Sequence, residues 1–202
     1  MSVKDHSLDG RIVEAAAAEF LEHGFQGASM RQIAQRAGLT TGALYNRYRN
    51  KDVLFCSLIE PFLREISGTQ MPIRECYQQA LSAADPEKIM EAIRLEQQAY
   101  LDLMFRHYDA CVLFFCRSDG SSIEKTRSRQ MAAKAQQTTA YLKSVAGGDT
   151  DMDGVEMILS EQFHYYRHVL EKGFSKEKAV SCMKTVEEFM EAGWKALFEK
   201  IL

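Results

Sequence analysis

The sequence predicts an all-α protein: an N-terminal three-helix domain of helix-turn-helix type followed by a C-terminal helical bundle domain, about nine or ten helices in all. Three observations predict it. Only three of the 202 residues are proline, and all three lie between 61 and 86. The long stretches on either side carry helix formers and few breakers. From Gly68 onward, apolar residues recur every three or four positions, the spacing of one helix face. A composition of 46% apolar and 26% charged residues is ordinary for a globular chain and excludes disorder and low complexity.

The first helix is expected from about Leu8 to His23, where Ile12, Ala15, Ala16, Glu19/Phe20 and Leu21 recur with roughly helical spacing. Gly24 supplies a left-handed stop with Phe25 packed behind it. Ser29-Met30-Arg31-Gln32 reads as a capping box, in which the Ser side chain takes a helical N–H and Gln reaches back. That second helix is short, because Gly38 ends it. Thr40 caps a third helix to about Tyr48. Asn50 caps a fourth, starting at Lys51, with a kink expected at Pro61 because proline lacks the N–H and clashes with the preceding turn. Met71-Pro72 and Asp85-Pro86-Glu87 read as helix starts with proline at the first position. Further helices are expected near 72–83, 86–107, 109–117, 121–146, 153–172 and 176–201, with loops at Gly147-Gly148-Asp149 and at Gly173. The division into domains is expected at 1–50 and 51–202.

Several functional classes are excluded or disfavoured. The longest unbroken apolar stretch, ACVLFFC at 110–116, is far short of the roughly 20 residues that span a bilayer. The opening residues MSVKDHSLDG are polar, so no secretory signal is expected and the chain reads as cytoplasmic. Five cysteines, at 56, 76, 111, 116 and 182, are odd in number and form no CxxC pair, so they read as reduced thiols. Glu161, His164 and His168 share a helix face, but an HxxxH without a placed third ligand is a weak metal signal. Cys111 and Cys116 are poorly spaced for a redox pair. No phosphate loop, dinucleotide fingerprint or nucleophile–base–orienter set is present. No cofactor, no metal and no enzyme activity is expected.

Charge is distributed unevenly. The chain carries −3, yet residues 31–51 hold Arg31, Arg36, Arg47, Arg49 and Lys51 with no acid, a local +5 that leaves −8 for the rest. A basic patch on an acidic protein points to one small anionic contact surface, the alternative being an unevenly solvated face. The same window contains two short helices joined by a glycine turn. Ile33, Ala34, Ala37, Leu39 and Leu44 let them cross closely, and the second helix presents Thr40, Thr41, Ala43, Asn46 and Arg47, groups suited to a major-groove floor. Tyr45, Tyr48 and Lys51 fall where a flanking phosphate is met, and Arg31 is a further DNA-binding candidate. The run Ile12, Ala15-Ala16, Phe20, Gly24-Phe25, Ser29, Ile33-Ala34, Ala37-Gly38-Leu39-Thr40-Thr41-Gly42-Ala43-Leu44-Tyr45, Tyr48, Lys51-Asp52 and Leu54 resembles the DNA-binding domain of the TetR family of bacterial transcriptional regulators, over about residues 8–60. The resemblance implies phosphate contacts from Tyr45 and Lys51, and an approach to phosphates or bases by Thr40, Thr41 and Ala43.

The remaining chain carries no family-specific sequence. Along 176–201, Val180, Met183, Val186, Met190, Trp194 and Leu197 recur with helical spacing, and 153–172 offers Val155, Ile158, Phe163, Tyr166 and Val169. These stripes are wider than one core face needs. The resemblance implies a homodimer through such helices, here Ile158, Tyr166, Val186, Met190, Trp194 and Leu197; the alternative is that both helices close the monomer core. Met90, Tyr100, Met104, Phe105, Tyr108 and Phe114, with His164, are candidates for a plastic ligand pocket, or else for ordinary core. The resemblance thus implies a homodimeric repressor on a palindromic double-stranded operator, released by an unidentified small-molecule effector. The alternative is a helical regulator or adaptor that is constitutive or switched by a protein partner.

Overall fold

The computed structural model describes residues 6–83, 86–145 and 151–201. Among them are nine helices and no strand: α1 (His6–Gly27), α2 (Met30–Arg36), α3 (Thr41–Arg47), α4 (Lys51–Ser82), α5 (Pro86–Arg106), α6 (Tyr108–Cys116), α7 (Ser122–Val145), α8 (Met152–Glu171) and α9 (Lys176–Ile201). The all-α expectation therefore holds. The Gly147-Gly148-Asp149 loop lies outside the described residues.

The helix boundaries follow local chemistry. Gly24 adopts φ 67°, breaking α1 where a left-handed stop was expected, although a last turn continues to Gly27. At the end of α2, Gly38 has φ 70°, its N–H bonds to Gln35 O at 3.1 Å, and the Leu39 N–H bonds to Ala34 O at 2.8 Å. That pair of bonds closes a Schellman motif, which only a residue tolerating positive φ completes cheaply. Thr40 Oγ1 accepts from Ala43 N at 3.1 Å and Asn50 Oδ1 from Val53 N at 2.8 Å, so both expected caps form.

Two expectations are corrected. Ser29 makes no side-chain cap to α2, so the capping box does not form. Its backbone N–H is instead taken by Glu19 Oε1 at 3.1 Å, a tertiary acceptor in place of a local one. The separate helix at 72–83 does not exist, because α4 runs without interruption through Pro61 and Pro72 to Ser82. Pro61 is exposed, so water can take the carbonyl of residue 57 that the missing N–H leaves behind.

By contact, the chain divides into two compact units. The first comprises residues up to Leu63 together with His107–Arg127; the second comprises Arg64–Arg106 and Ser128 onward. α4 and α7 each contribute residues to both. In the first unit Ile12, Phe20, Ile33, Leu44, Leu54, Phe55, Ile59 and Phe62 are buried. Phe20 meets Phe55 edge-on with ring centroids 4.9 Å apart, Phe25 meets Phe55 at 5.2 Å, and Phe62 meets Phe114 at 5.7 Å. Burying each such ring stabilises the unit by about 1.5–3 kcal/mol. In the second unit Ile89, Met90, Leu142, Val155 and Trp194 form the core, flanked by Ile93, Leu159, Met190 and Leu197. Lys176 pairs with Asp102 at 2.9 Å and Arg94 with Glu191 at 3.1 Å.

Candidate nucleic-acid interface and effector cavity

The first unit packs α3 against α2, with one side-chain pair to α1. Leu44 is the buried residue of α3, and Ile33, Ala34 and Ala37 of the preceding helix and turn are buried as well. With its inner face committed, α3 leaves Thr40, Gly42, Tyr45, Asn46 and Arg47 exposed and Thr41 and Ala43 half-buried. Tyr48 and Lys51 are half-buried at the following turn, and Arg31 and Arg49 are exposed.

The basic residues differ in how free their charges are. Arg36 pairs with Glu22 at 3.0 Å and approaches Glu19 at 3.5 Å. Arg47 pairs with Asp9 of α1. Lys51 Nζ donates to Gln26 O and Ala28 O, both at 3.1 Å, and lies 4.8 Å over the Phe25 ring. Arg31 and Arg49 have no ion-pair partner among the described residues. Arg31 and Arg49 are thus unengaged cations, whereas Arg47 and Lys51 already have partners.

Two supports of this head are absent from the candidate residues drawn from sequence. Glu19, counted there only as part of the inward face of α1, is 1% exposed. It joins that helix to the start of α2 through the Ser29 N–H, with Arg36 and His23 at ion-pair distance. An acid at an inward position is the signal that marks it. The second support is the segment after α6. Phe25 N donates to Arg117 O at 2.8 Å, and Ser122 donates twice to Asp52. That segment is held by its own network. Glu124 N donates to Ser121 Oγ at 3.3 Å, the Glu124 carboxylate takes the Gly120 N–H at 2.6 Å, and Arg127 reaches Ser118 Oγ at 2.7 Å. The pattern Ser121-x-x-Glu124 is the capping-box signature that finds it.

The second unit contains a cavity of about 60 Å³ between α5, α7, α8 and α9. Met90 and Tyr100 line it, as do Leu159, Phe163, Tyr166, Met183, Met190 and Trp194. The other pocket candidates lie elsewhere. Met104 is buried and Phe105 half-buried, neither on the lining, while Tyr108 and Phe114 belong to the first unit. His164 is exposed and paired with Glu161, and the His168 ring meets Phe174 edge-on at 6.3 Å. Burial pushes the Cys111 thiol far above its ordinary range, with Cys116 adding to the shift.

The residues proposed for a dimer interface divide by exposure. Tyr166 and Trp194 are buried in their own unit, and Val186, Met190 and Leu197 are half-buried, the last two against its core. Ile158 is exposed. Among the described residues, the large apolar side chains that α8 and α9 turn to solvent include Met157 (71% exposed), Ile158, Val180 and Phe189 (77% exposed).

Comparison with known proteins finds similarity within the first unit. Residues 12–58 match the family model described as bacterial regulatory proteins, tetR family. The HTH-type transcriptional repressor KstR2 of Mycobacterium tuberculosis (strain ATCC 25618 / H37Rv) is 36% identical over 58 residues, 29% of this chain and 29% of that protein. The HTH-type transcriptional repressor SCO4008 of Streptomyces coelicolor is 37% identical over 68 residues, 33% of this chain and 35% of that protein. The matched stretch thus spans about a third of each curated relative. Over nearly the whole length, the crystal structure of a TetR-like transcriptional regulator from Rhodococcus sp. RHA1 superposes with a TM-score of 0.60 at 16% identity, covering 95% of this chain and 100% of that one. That similarity establishes the fold. No helix among the described residues is long and apolar enough to cross a membrane.

Proposed function

From the match of residues 12–58 to the model of bacterial regulatory proteins, tetR family, we propose that this chain is a homodimeric transcriptional repressor that leaves a palindromic operator when a small molecule binds its second domain. Residues 1–50 read DNA, and 51–202 bind the effector and the second copy. The observation that carries the reading is the exposed face of α3. Thr40, Tyr45 and Asn46 are exposed there while Leu44 is buried, and Arg31 and Arg49 are exposed without an ion-pair partner among the described residues. Short hydrogen-bonding groups read base edges, and the cations and Tyr45 meet phosphates.

A lone head binds weakly, and two heads on a dyad supply the rest. Exposed Met157, Ile158 and Phe189 give α8 and α9 an apolar surface for a second copy. The effector enters the cavity lined by Met90, Tyr100 and Trp194. Ligand-driven shifts reach the head through α4 and α7, the helices that contribute to both units. The effector lowers DNA affinity by its difference in affinity between the two states, and a coupling of about 1–3 kcal/mol gives roughly 5- to 150-fold release. The protein acts in the cytoplasm and has no catalytic role.

A constitutive or partner-switched regulator is the second reading. It is favoured by the size of the cavity, since about 60 Å³ holds only a few heavy atoms until its walls move. A gel shift on duplexes from the DNA flanking the protein's own gene, repeated with a metabolite library, decides among the readings. Sequence-specific, salt-sensitive binding that some compound weakens supports the proposal. Binding that no compound weakens supports the second reading, and absence of specific binding removes both.

A further inference from the structure

The cations that border α3 are engaged in different ways. Lys51, at the turn after it, gives its ammonium to two uncharged acceptors, the Gln26 and Ala28 carbonyl oxygens, each at 3.1 Å. Those bonds occupy donors and leave the positive charge intact. Arg47, in the last turn of α3, meets a carboxylate instead. Its Nη1 donates to Oδ1 of Asp9, which stands in the first turn of α1, 38 positions earlier. Neither side chain is sunk in the core, since Arg47 is 28% and Asp9 33% exposed. Two residues on, Arg11 stands beside the turn that enters α3, its Nη1 3.6 Å from where a Cβ on Gly38 would lie. The start of α1 therefore borders both the entry turn and the last turn of the helix read here as the DNA-reading one.

A carboxylate is a costly neighbour for a surface that meets phosphates. It repels the polyanion and cancels one cation of the basic patch. It does not exhaust the guanidinium, which carries several N–H donors in a planar fork. The pair thus separates two properties of one side chain. The charge, which attracts every duplex alike, is neutralised. The remaining donors, steadied by the carboxylate, stay available to a base edge, where an arginine fork fits guanine. On the reading that α3 enters the major groove, we propose that Asp9 is a specificity-determining residue, which withdraws Arg47 from sequence-independent phosphate attraction and commits its remaining donors to base recognition. Lys51, held by neutral carbonyls, keeps the opposite role of a phosphate cation.

The test uses the full-length protein and two duplexes: one from the DNA flanking its gene that the wild type retains in a gel shift, and a scrambled duplex of the same composition. Fluorescence anisotropy across salt reads both. Asp9→Asn keeps the shape of the side chain and removes its charge. It is expected to tighten the scrambled duplex about tenfold at about 0.1 M salt, and to steepen the salt slope on it by about one for each copy bound, as one more phosphate contact does. The flanking duplex should gain less than about threefold, so that the preference narrows. Asp9→Glu, which restores the carboxylate, should return scrambled binding to the wild-type level. The double variant Asp9→Asn with Arg47→Ala removes the pair at no change in net charge. It should leave the scrambled duplex unchanged and weaken the flanking duplex about tenfold or more. Equal tightening of both duplexes by Asp9→Asn would make Asp9 a general repulsive charge, and no change or equal weakening would make the pair a structural tie; each overturns the proposal, as does a double variant that weakens both duplexes alike. A wild type that prefers no flanking duplex removes sequence reading by α3 and the proposal with it. A wild-type preference that Asp9→Asn leaves intact removes the proposal and spares that reading.

Discussion

Asp52 and Ser122, 70 positions apart in the chain, are joined by two hydrogen bonds to one carboxylate: Ser122 N to Oδ1 at 2.8 Å and Ser122 Oγ to Oδ2 at 2.6 Å. Asp52 stands in the first turn of α4, and Ser122 opens α7. One carboxylate thus serves two helix N-termini, where negative charge and free N–H groups match. Cys56 lies beside the pair, its Sγ 3.4 Å from Ser122 Oγ. Burial there raises the Cys56 thiol, and the Asp52 carboxylate adds to the effect, so the group stays a neutral thiol.

Removing that carboxylate leaves the Ser122 N–H without its acceptor. Asp52→Ala is expected to lower unfolding stability by about 1–2 kcal/mol, as loss of a helix cap does. Asp52→Asn keeps one acceptor and should cost less. Urea unfolding of Asp52→Ala, Ser122→Ala and the double variant measures the coupling. Additive losses would show that the two side chains do not act as a pair.

Glu19 makes a sharper case, because its carboxylate is almost wholly out of water. Glu19→Ala strands the Ser29 N–H and removes an anion from beside Arg36. A loss of about 2–3 kcal/mol is expected. Glu19→Gln, which still offers an oxygen to Ser29, should recover much of it. Thermal unfolding in low and high salt tests the electrostatic part, and equal losses for both variants would assign the effect to packing alone.

The reading head was legible in the sequence because its signals are local. Thr40 and Asn50 cap within three residues, and Gly24 and Gly38 sit where positive φ is required. Periodicity likewise gave most helices of the second unit. What escaped was decided by tertiary partners. Ser29 carries a capping sequence, yet Glu19 of α1 supplies the acceptor. Pro72 resembles a helix start, yet α4 passes through it. A stripe such as Val155, Met190 and Trp194 gives the period of α8 and α9 but not which of two apolar faces turns inward; packing with Ile89, Met90 and Leu142 decides that. The same ambiguity blurred pocket and core, since Met104 and Met90 are alike in sequence and only Met90 lines the cavity.

Among the basic residues, engagement predicts two kinds of DNA-binding defect. Arg31→Ala and Arg49→Ala remove unengaged cations. Each should weaken every duplex alike and reduce the salt slope of binding by about one, without changing thermal stability. Lys51→Ala should do so and also lower stability, because its ammonium ties the Gln26 and Ala28 carbonyls. Changes at Thr41 or Asn46 should alter sequence preference instead. Fluorescence anisotropy across salt, alongside melting curves, separates the classes. A stable Lys51→Ala protein would show that those carbonyl bonds contribute nothing measurable.

The last prediction concerns assembly. Phe189 is 77% exposed and Met157 71%, so neither contributes to the core of its own unit. Next to Phe189, one turn on, Gly193 has open space at its Cβ position, and Ala192 and Ala196 are exposed, so a partner helix can approach closely. If two copies associate through this face, Phe189→Glu buries an unpartnered charge in the interface, an effect of several kcal/mol on association. Because the side chain is exposed within one chain, the variant should fold as well as the wild type. Met190→Glu places its charge against the Trp194 core instead and should destabilise the monomer itself. Sedimentation equilibrium at micromolar concentration, paired with circular dichroism melts, distinguishes the two. A folded Phe189→Glu monomer that binds single half-sites but not the full palindrome is the expected outcome. A Phe189→Glu protein that remains dimeric would place the interface on another surface.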